Sequence, residues 1–98
     1  MTFRHVVLLN FTDETTAQDV RVIVDALNTL PARIPALRDY RVGIDVGLAE
    51  GNAHFAVVAE FDDVAGYVTY RDDPEHQRII AELIRPRLAS RVAAQYEC

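Results

Sequence analysis

The spacing of apolar residues along this chain switches between period two and a helical period, and each switch marks a boundary. Phe3 to Phe11 (FRHVVLLNF) is β-branched and aromatic, the composition of a strand. Phe3, His5, Val7, Leu9 and Phe11 form one row, and Arg4, Val6, Leu8 and Asn10 the other. Both rows are apolar at their centres, which predicts a strand buried on two sides. Asp13 to Thr16 supply a turn and a helix start, with Thr15-x-x-Gln18 as the expected capping box. Val20, Ile23, Val24, Leu27 and Leu30 then recur at helical spacing with polar residues between them, an amphipathic helix ended by Pro31 and Pro35. Arg38 to Val46 alternates with period two, placing Tyr40, Val42, Ile44 and Val46 in one row. Gly47 to Ala53 is a loop, and His54 to Phe61 is the third strand, with Phe55, Val57, Ala59 and Phe61 on one face. Asp62 or Asp63 caps a short helix carrying Val64, Tyr67, Val68 and Tyr70. Pro74 restarts the helix, Ile79, Ile80, Leu83 and Ile84 give it an apolar stripe, and Pro86 ends or bends it. Ser90 to Cys98 is the final strand, with Val92, Ala94 and Tyr96 alternating.

The order β-α-β-β-α-β with right-handed crossovers predicts an α+β, ferredoxin-like sandwich: one four-stranded antiparallel sheet with helices on one face. The length of 98 residues fits a single domain spanning 1–98. Two helices cover one face of such a sheet, yet Val6, Leu8, Ala56 and Val58 make the other face apolar as well. A patch of that kind marks an interface, and a homodimer packed sheet to sheet is the expected partner arrangement.

Composition narrows the chemistry. All ten basic residues are arginine, so lysine Schiff bases, a pyridoxal-phosphate lysine and the P-loop lysine are excluded. Ser90 is the only serine and has no nucleophile elbow around it; the four glycines form no phosphate-cradling loop. A lone Cys98 permits neither an internal disulfide nor a Cys-x-x-Cys site. The net charge of −5, without a basic stripe, argues against nucleic acid and anionic membranes as partners. With no signal peptide and no 18-residue apolar run, the chain reads as a soluble cytoplasmic protein.

What remains is imidazole and phenol. His5 shares a row with Val7 and Leu9, and His76 precedes Ile79 and Ile80 by three and four residues, so both point at the space between sheet and helices. Tyr67 and Tyr70 sit on the preceding helix. His5, Tyr70 and His76 are therefore expected to converge in one cleft, the usual form of a small-molecule site. The same two histidines read equally well as hydrogen-bonded structural residues. His54 falls on the opposite face and reads as structural or interfacial. Asp72-Asp73-Pro74-Glu75-His76 offers metal-ligand types, but acids at a helix start answer to the helix dipole, and no second cluster has ligand spacing; no metal is expected. Arg71, Arg78, Arg85 and Arg87 read as solvated or paired with nearby acids.

His5-Val6-Val7-Leu8-Leu9, Ile34-Pro35-Ala36-Leu37, Val42-Gly43-Ile44-Asp45, Phe61-Asp62-Asp63-Val64, Tyr70 and Pro74-x-His76 together give the chain a resemblance, over its whole length, to the stress-responsive A/B-barrel (Dabb) domain of the dimeric α+β barrel superfamily. The resemblance implies a homodimer whose sheets form a barrel, and a pocket for a small apolar or aromatic ligand. The expected lining is Val7, Leu9, Ile23 and Leu27 with Phe55, Val57 and Ala59, and the expected interface is Val6, Leu8, Ala56 and Val58. A plant member, olivetolic acid cyclase, closes a linear polyketide thioester without a cofactor, and its working Tyr and His match Tyr70 and His76. This implies catalytic roles for His76 and Tyr70 and no cofactor, and the expected convergence in one cleft adds His5 as a third candidate catalytic residue. Here Asp73 stands where a histidine is common, and Leu27 and Arg41 stand where aromatic residues shape the cyclase pocket. Three functions follow as expectations: a cofactor-independent cyclase or isomerase, a non-catalytic stress or ligand-binding protein, and a cofactor-free monooxygenase.

Overall fold

The computed structural model covers residues 1–98. Strand β1 (Phe3–Phe11) is followed by α1 (Ala17–Leu27), a one-turn α2 (Leu30–Arg33), β2 (Asp39–Ile44) and β3 (Phe55–Phe61). Helices α3 (Val64–Asp72) and α4 (Pro74–Ile79) then lead through a π-helical turn at Ile80–Ile84 and a 3-10 turn at Arg85–Arg87 into β4 (Leu88–Glu97). The strands form one antiparallel sheet in the order β2-β3-β1-β4, with β1 and β3 central. This is the ferredoxin-like α+β architecture that the element order predicts.

The register explains why the strands show two apolar rows. His5 lies opposite Ala59 and Val7 opposite Val57, and this row is buried beneath the helices. Ile23, Leu27, Leu30, Ile34 and Ile79 close over it to form the core. On the outer face Val6 faces Val58 and Leu8 faces Ala56. Strand β4 extends that patch with Ala94 opposite Val6 and Val92 opposite Leu8. Leu8 is 40% and Val92 65% exposed, so no part of this chain covers the patch. Polar pairs frame it: Arg4 bonded to Glu60 and Tyr96 at one end, Asn10 bonded to Ser90 at the other.

Local boundaries differ from the sequence expectation in instructive ways. The capping box of α1 is Thr16 with Asp19, not Thr15 with Gln18: Thr16 Oγ1 accepts from Asp19 N–H at 3.0 Å and Asp19 accepts from Thr16 N–H at 3.0 Å. The Thr15 hydroxyl is engaged instead with that of Thr12. Helix α1 stops at Leu27, and Leu30 belongs to α2, where Pro31 sits in the first turn, the one helical place that needs no proline N–H. Asp63, not Asp62, caps α3 by accepting from Gly66 N–H at 2.9 Å, while Asp62 pairs with Arg38. Strand β2 is shorter than Arg38–Val46 because Ile44 is paired with Phe55 at the start of β3, and beyond it Val46 lies in the open. Strand β4 starts at Leu88 rather than Ser90: Leu88 lies opposite Phe11, and the register shifts between Asn10 and Phe11, leaving Ala89 of β4 as the extra residue.

Candidate functional site

Between the helix-side face of the sheet and α3–α4 lies a cavity of about 370 Å³. His5, Val7 and Leu9 from β1, Tyr70 from α3 and His76 from α4 all line it, together with Leu27 and Val57. Ile23, Phe55 and Ala59, expected in its wall, are instead sealed into the core with no more than 1% of their surface exposed. Arg41 does not shape the cavity either: it projects from the outer face, bonded to Asp39. His54 is a structural link, its Nδ1 accepting from Phe11 N–H at 3.0 Å.

Asp73 sets the position of His76. Its Oδ2 accepts from the backbone N–H of both Glu75 and His76 at 3.0 Å, capping α4, and its carboxylate is held in turn by Arg33 at 3.0 Å. The His76 ring then lies against Tyr70 with ring centroids 4.0 Å apart. His76 Nδ1 is 3.3 Å from the Arg71 carbonyl, which can only accept, so Nδ1 carries the proton. Gln77 donates its side-chain amide to the same carbonyl. Nε2 makes no hydrogen bond within the chain; since no buried side-chain nitrogen lacks a partner, it faces the open cavity. The neighbouring acids are spoken for: Asp72 pairs with Arg71 and Glu75 with Arg78.

His5 has the opposite tautomer. The Gln95 amide lies 2.9 Å from His5 Nδ1 and donates to it, and it donates to the Tyr67 hydroxyl at 3.2 Å. Nδ1 is therefore an acceptor, and the His5 proton is on Nε2. Tyr70 in turn shares a 3.1 Å hydrogen bond with Tyr40. Desolvation, then the positive charge of Arg91 and the neighbouring His76, hold His5 down at about 4. Desolvation also lowers His76, against the opposing pull of the Arg71 and Tyr70 carbonyls. Burial pushes the Tyr70 phenol up to about 12 and raises Tyr40 well above the ordinary tyrosine range. At neutral pH the cluster is thus two neutral imidazoles beside protonated phenols.

Sequence reasoning missed Tyr40, Gln95 and Arg91. Tyr40 was visible in the inner row of β2 with Val42. Gln95 and Arg91 occupy the β4 row opposite Val92, Ala94 and Tyr96, and they face His5 and Leu9 across the β1–β4 ladder. The π-helical turn was not legible at all. Pro86 has no N–H, and its ring cannot sit against the Glu82 carbonyl in α geometry; the preceding turn widens so that Arg85 N–H reaches Ile80 O. Ile80 and Ile84, the first and last residues of that turn, line the cavity.

The comparisons agree with this architecture. A dimeric ferredoxin-like protein of unknown function from Thermobifida fusca is 44% identical to this chain, covering 100% of it and 92% of the other, with a TM-score of 0.92. A Dabb family protein with a ferredoxin-like fold from Mesorhizobium loti shares 18% identity, covers 99% of this chain and 96% of its own, and superposes with a TM-score of 0.82. The hydroxynitrile lyase of Passiflora edulis shares the fold at 18% identity and a TM-score of 0.84, over 97% of this chain and 91% of its own. No curated protein sequence matches the chain. The family model of the stress responsive A/B barrel domain matches residues 3–98, and the chain belongs to that family, Dabb.

Proposed function

We propose that this protein is a homodimeric, cofactor-independent proton-transfer enzyme acting on a small carbonyl compound held in the cavity. The observation that carries the reading is His76: a buried, neutral imidazole with Nδ1 tied to the Arg71 carbonyl and Nε2 open to the cavity beside the Tyr70 phenol. His76 Nε2 takes a proton from the carbon next to the substrate carbonyl, and the C–H electron pair becomes the enolate. The proton then returns from the imidazolium either to another carbon of the enolate system, completing an isomerisation, or to the alkoxide left when the enolate carbon adds to a second carbonyl of the substrate and opens its C=O π bond, completing a ring closure. Either hydroxyl can donate in the Tyr40–Tyr70 hydrogen bond; with Tyr40 donating to the Tyr70 oxygen, the Tyr70 hydroxyl is free to donate to the developing enolate oxygen. His5, with its proton on Nε2, offers a second donor from the opposite wall. The Passiflora edulis protein, an enzyme by its description, supports the same fold as a host for catalysis.

Dimerisation rests on the uncovered patch of Val6, Leu8, Ala56 and Val58, and the Thermobifida fusca relative is itself dimeric. Packing sheet on sheet would cover that patch and leave the cavity, on the helix side, with one site per protomer.

The test is deuterium exchange at the carbon next to the carbonyl, followed by NMR with medium-chain ketones and 3-oxo thioesters. Wild-type protein should accelerate exchange over buffer, and His76→Gln should reduce the acceleration by about 100-fold or more, the usual share of a general base. Exchange at the buffer rate with the ketone bound would make the protein a carrier instead, and acceleration that survives His76→Gln would remove His76 from the mechanism.

A further inference from the structure

Seven of the ten arginines have a carboxylate within 4.0 Å; Arg21, Arg85 and Arg91 do not. Two of these three, Arg85 and Arg91, line the same cavity as His5, Tyr70 and His76. Arg71 lines it as well, its charge engaged by Asp72. The chain carries fifteen acids against ten bases, yet no Asp or Glu lines this cavity. The cationic wall of an acidic protein is therefore a local arrangement, and it is not a consequence of overall charge.

The two free guanidinium groups sit on the open side. Arg85 lies in the 3-10 turn that follows the π-helical turn, and Arg91 projects from β4, the edge strand; both are exposed. His5, Tyr70 and His76, by contrast, are buried at 4%, 3% and 8% exposure. Between these ends the wall is aliphatic: Val7, Leu9, Val57, Ile80 and Ile84. A ligand that satisfied this wall would carry an anion at the mouth and an apolar body reaching inward to the histidines. Planar, forked guanidinium donors match a carboxylate in particular. The volume of about 370 Å³ holds roughly a dozen heavy atoms at ~30 Å³ each.

We infer that the cavity selects a medium-chain carboxylate, the charged end held by Arg85 and Arg91 and the chain directed at Tyr70 and His76. On the reading above, on which this rests, the substrate is then a carbonyl compound that also bears a carboxylate. Arg85 and Arg91 are specificity-determining residues here, separate from the proton-transfer pair.

The inference is tested by calorimetric titration with octanoate and with octanamide, which has the same number of heavy atoms and no charge. Octanoate should bind wild-type protein about tenfold tighter than octanamide or better, as expected for charge-assisted over neutral hydrogen bonds. Added salt should weaken octanoate and leave octanamide unmoved. The double variant Arg85→Gln/Arg91→Gln should bring the two affinities to within about twofold, through loss of octanoate binding alone; retained octanamide binding reports an intact cavity. Equal wild-type affinities, or a carboxylate preference that survives the double substitution, would overturn the inference and leave the proton-transfer reading standing. Binding of neither probe would overturn it together with the cavity as a ligand site.

Discussion

His5 and His76 are alike in residue type and burial but are wired in opposite senses. Gln95 donates to Nδ1 of His5, whereas Nδ1 of His76 donates to the Arg71 carbonyl, so one ring presents a proton and the other a lone pair. Both are held neutral chiefly by desolvation, and this has a consequence for stability. The unfolded chain protonates His5 at its ordinary value of 6.5, while the folded chain does so only near 4. Between those values the unfolded state binds more protons, so the stability that His5 gives is full above pH 6.5 and is lost as pH falls toward 4, by up to about 3 kcal/mol. Urea midpoints measured down this range should fall for wild-type protein and fall less steeply for His5→Phe, which has no proton to take up. The same direction of shift at His76 governs activity. The acid-side decline of carbonyl-compound exchange should be centred below pH 6.5, since the base stays unprotonated to lower pH than a free histidine. A decline centred at or above 6.5 would show that the titrating group is not a desolvated His76.

Among the elements, α4 illustrates how a short helix can be held in register. Six residues are too few to be stable alone, and Pro74 at its start contributes no N–H. Asp73 supplies what is missing by accepting from two orphan backbone N–H groups while Arg33, from α2, holds its carboxylate. Asp73 is thus the cap of the helix that carries His76. Asp73→Ala should cost about 1–2 kcal/mol. In a domain of this size that lowers the melting temperature by roughly 4–8 °C per kcal/mol. Exchange activity should fall with it, because the His76 backbone N–H loses its acceptor. Asp73→Asn, which keeps a capping oxygen and loses the charge, should recover most of the stability; a variant as stable as wild type in the alanine case would show that the cap contributes nothing.

For the whole molecule the two faces of the sheet have separate duties. The helix-side face holds the core and the cavity, and the outer face presents Val6, Leu8, Ala56 and Val58 with Val92 and Ala94 beside them. No helix in this chain is long and apolar enough to cross a membrane. On the proposed sheet-to-sheet dimer, Val58→Arg places a charge at the centre of the buried patch, and light scattering should report a folded monomer with an unchanged circular dichroism spectrum. A dimer that persists would place the interface elsewhere.

Period-two and helical spacing alone determined the element order, and with it the fold, because each strand and helix here declares its buried row within its own residues. The same rows placed His5 and His76 toward the space between sheet and helices, and Val6, Leu8, Ala56 and Val58 away from it. Boundaries were less legible: Thr16 rather than Thr15, and Asp63 rather than Asp62, act as caps because the neighbouring hydroxyl and carboxylate are taken by Thr12 and Arg38. The first competition is local, between residues three apart, whereas the second is decided between residues 24 apart in sequence. The cavity was legible only in part because it depends on contacts distant in sequence. Ile23, Phe55 and Ala59 have the right composition and face, yet packing seals them into the core. Pro86 announced a break, but only the folded chain shows it as a widened turn whose ends, Ile80 and Ile84, border the cavity. Gln95 and Arg91 reach the site through the pairing of the last strand with the first, 90 residues away from His5 in the case of Gln95. The sequence by itself determined which faces are apolar, since side-chain period is a local property; the tertiary structure decided which of those positions border empty space and which charges stand beside it, since both depend on what the rest of the chain fills.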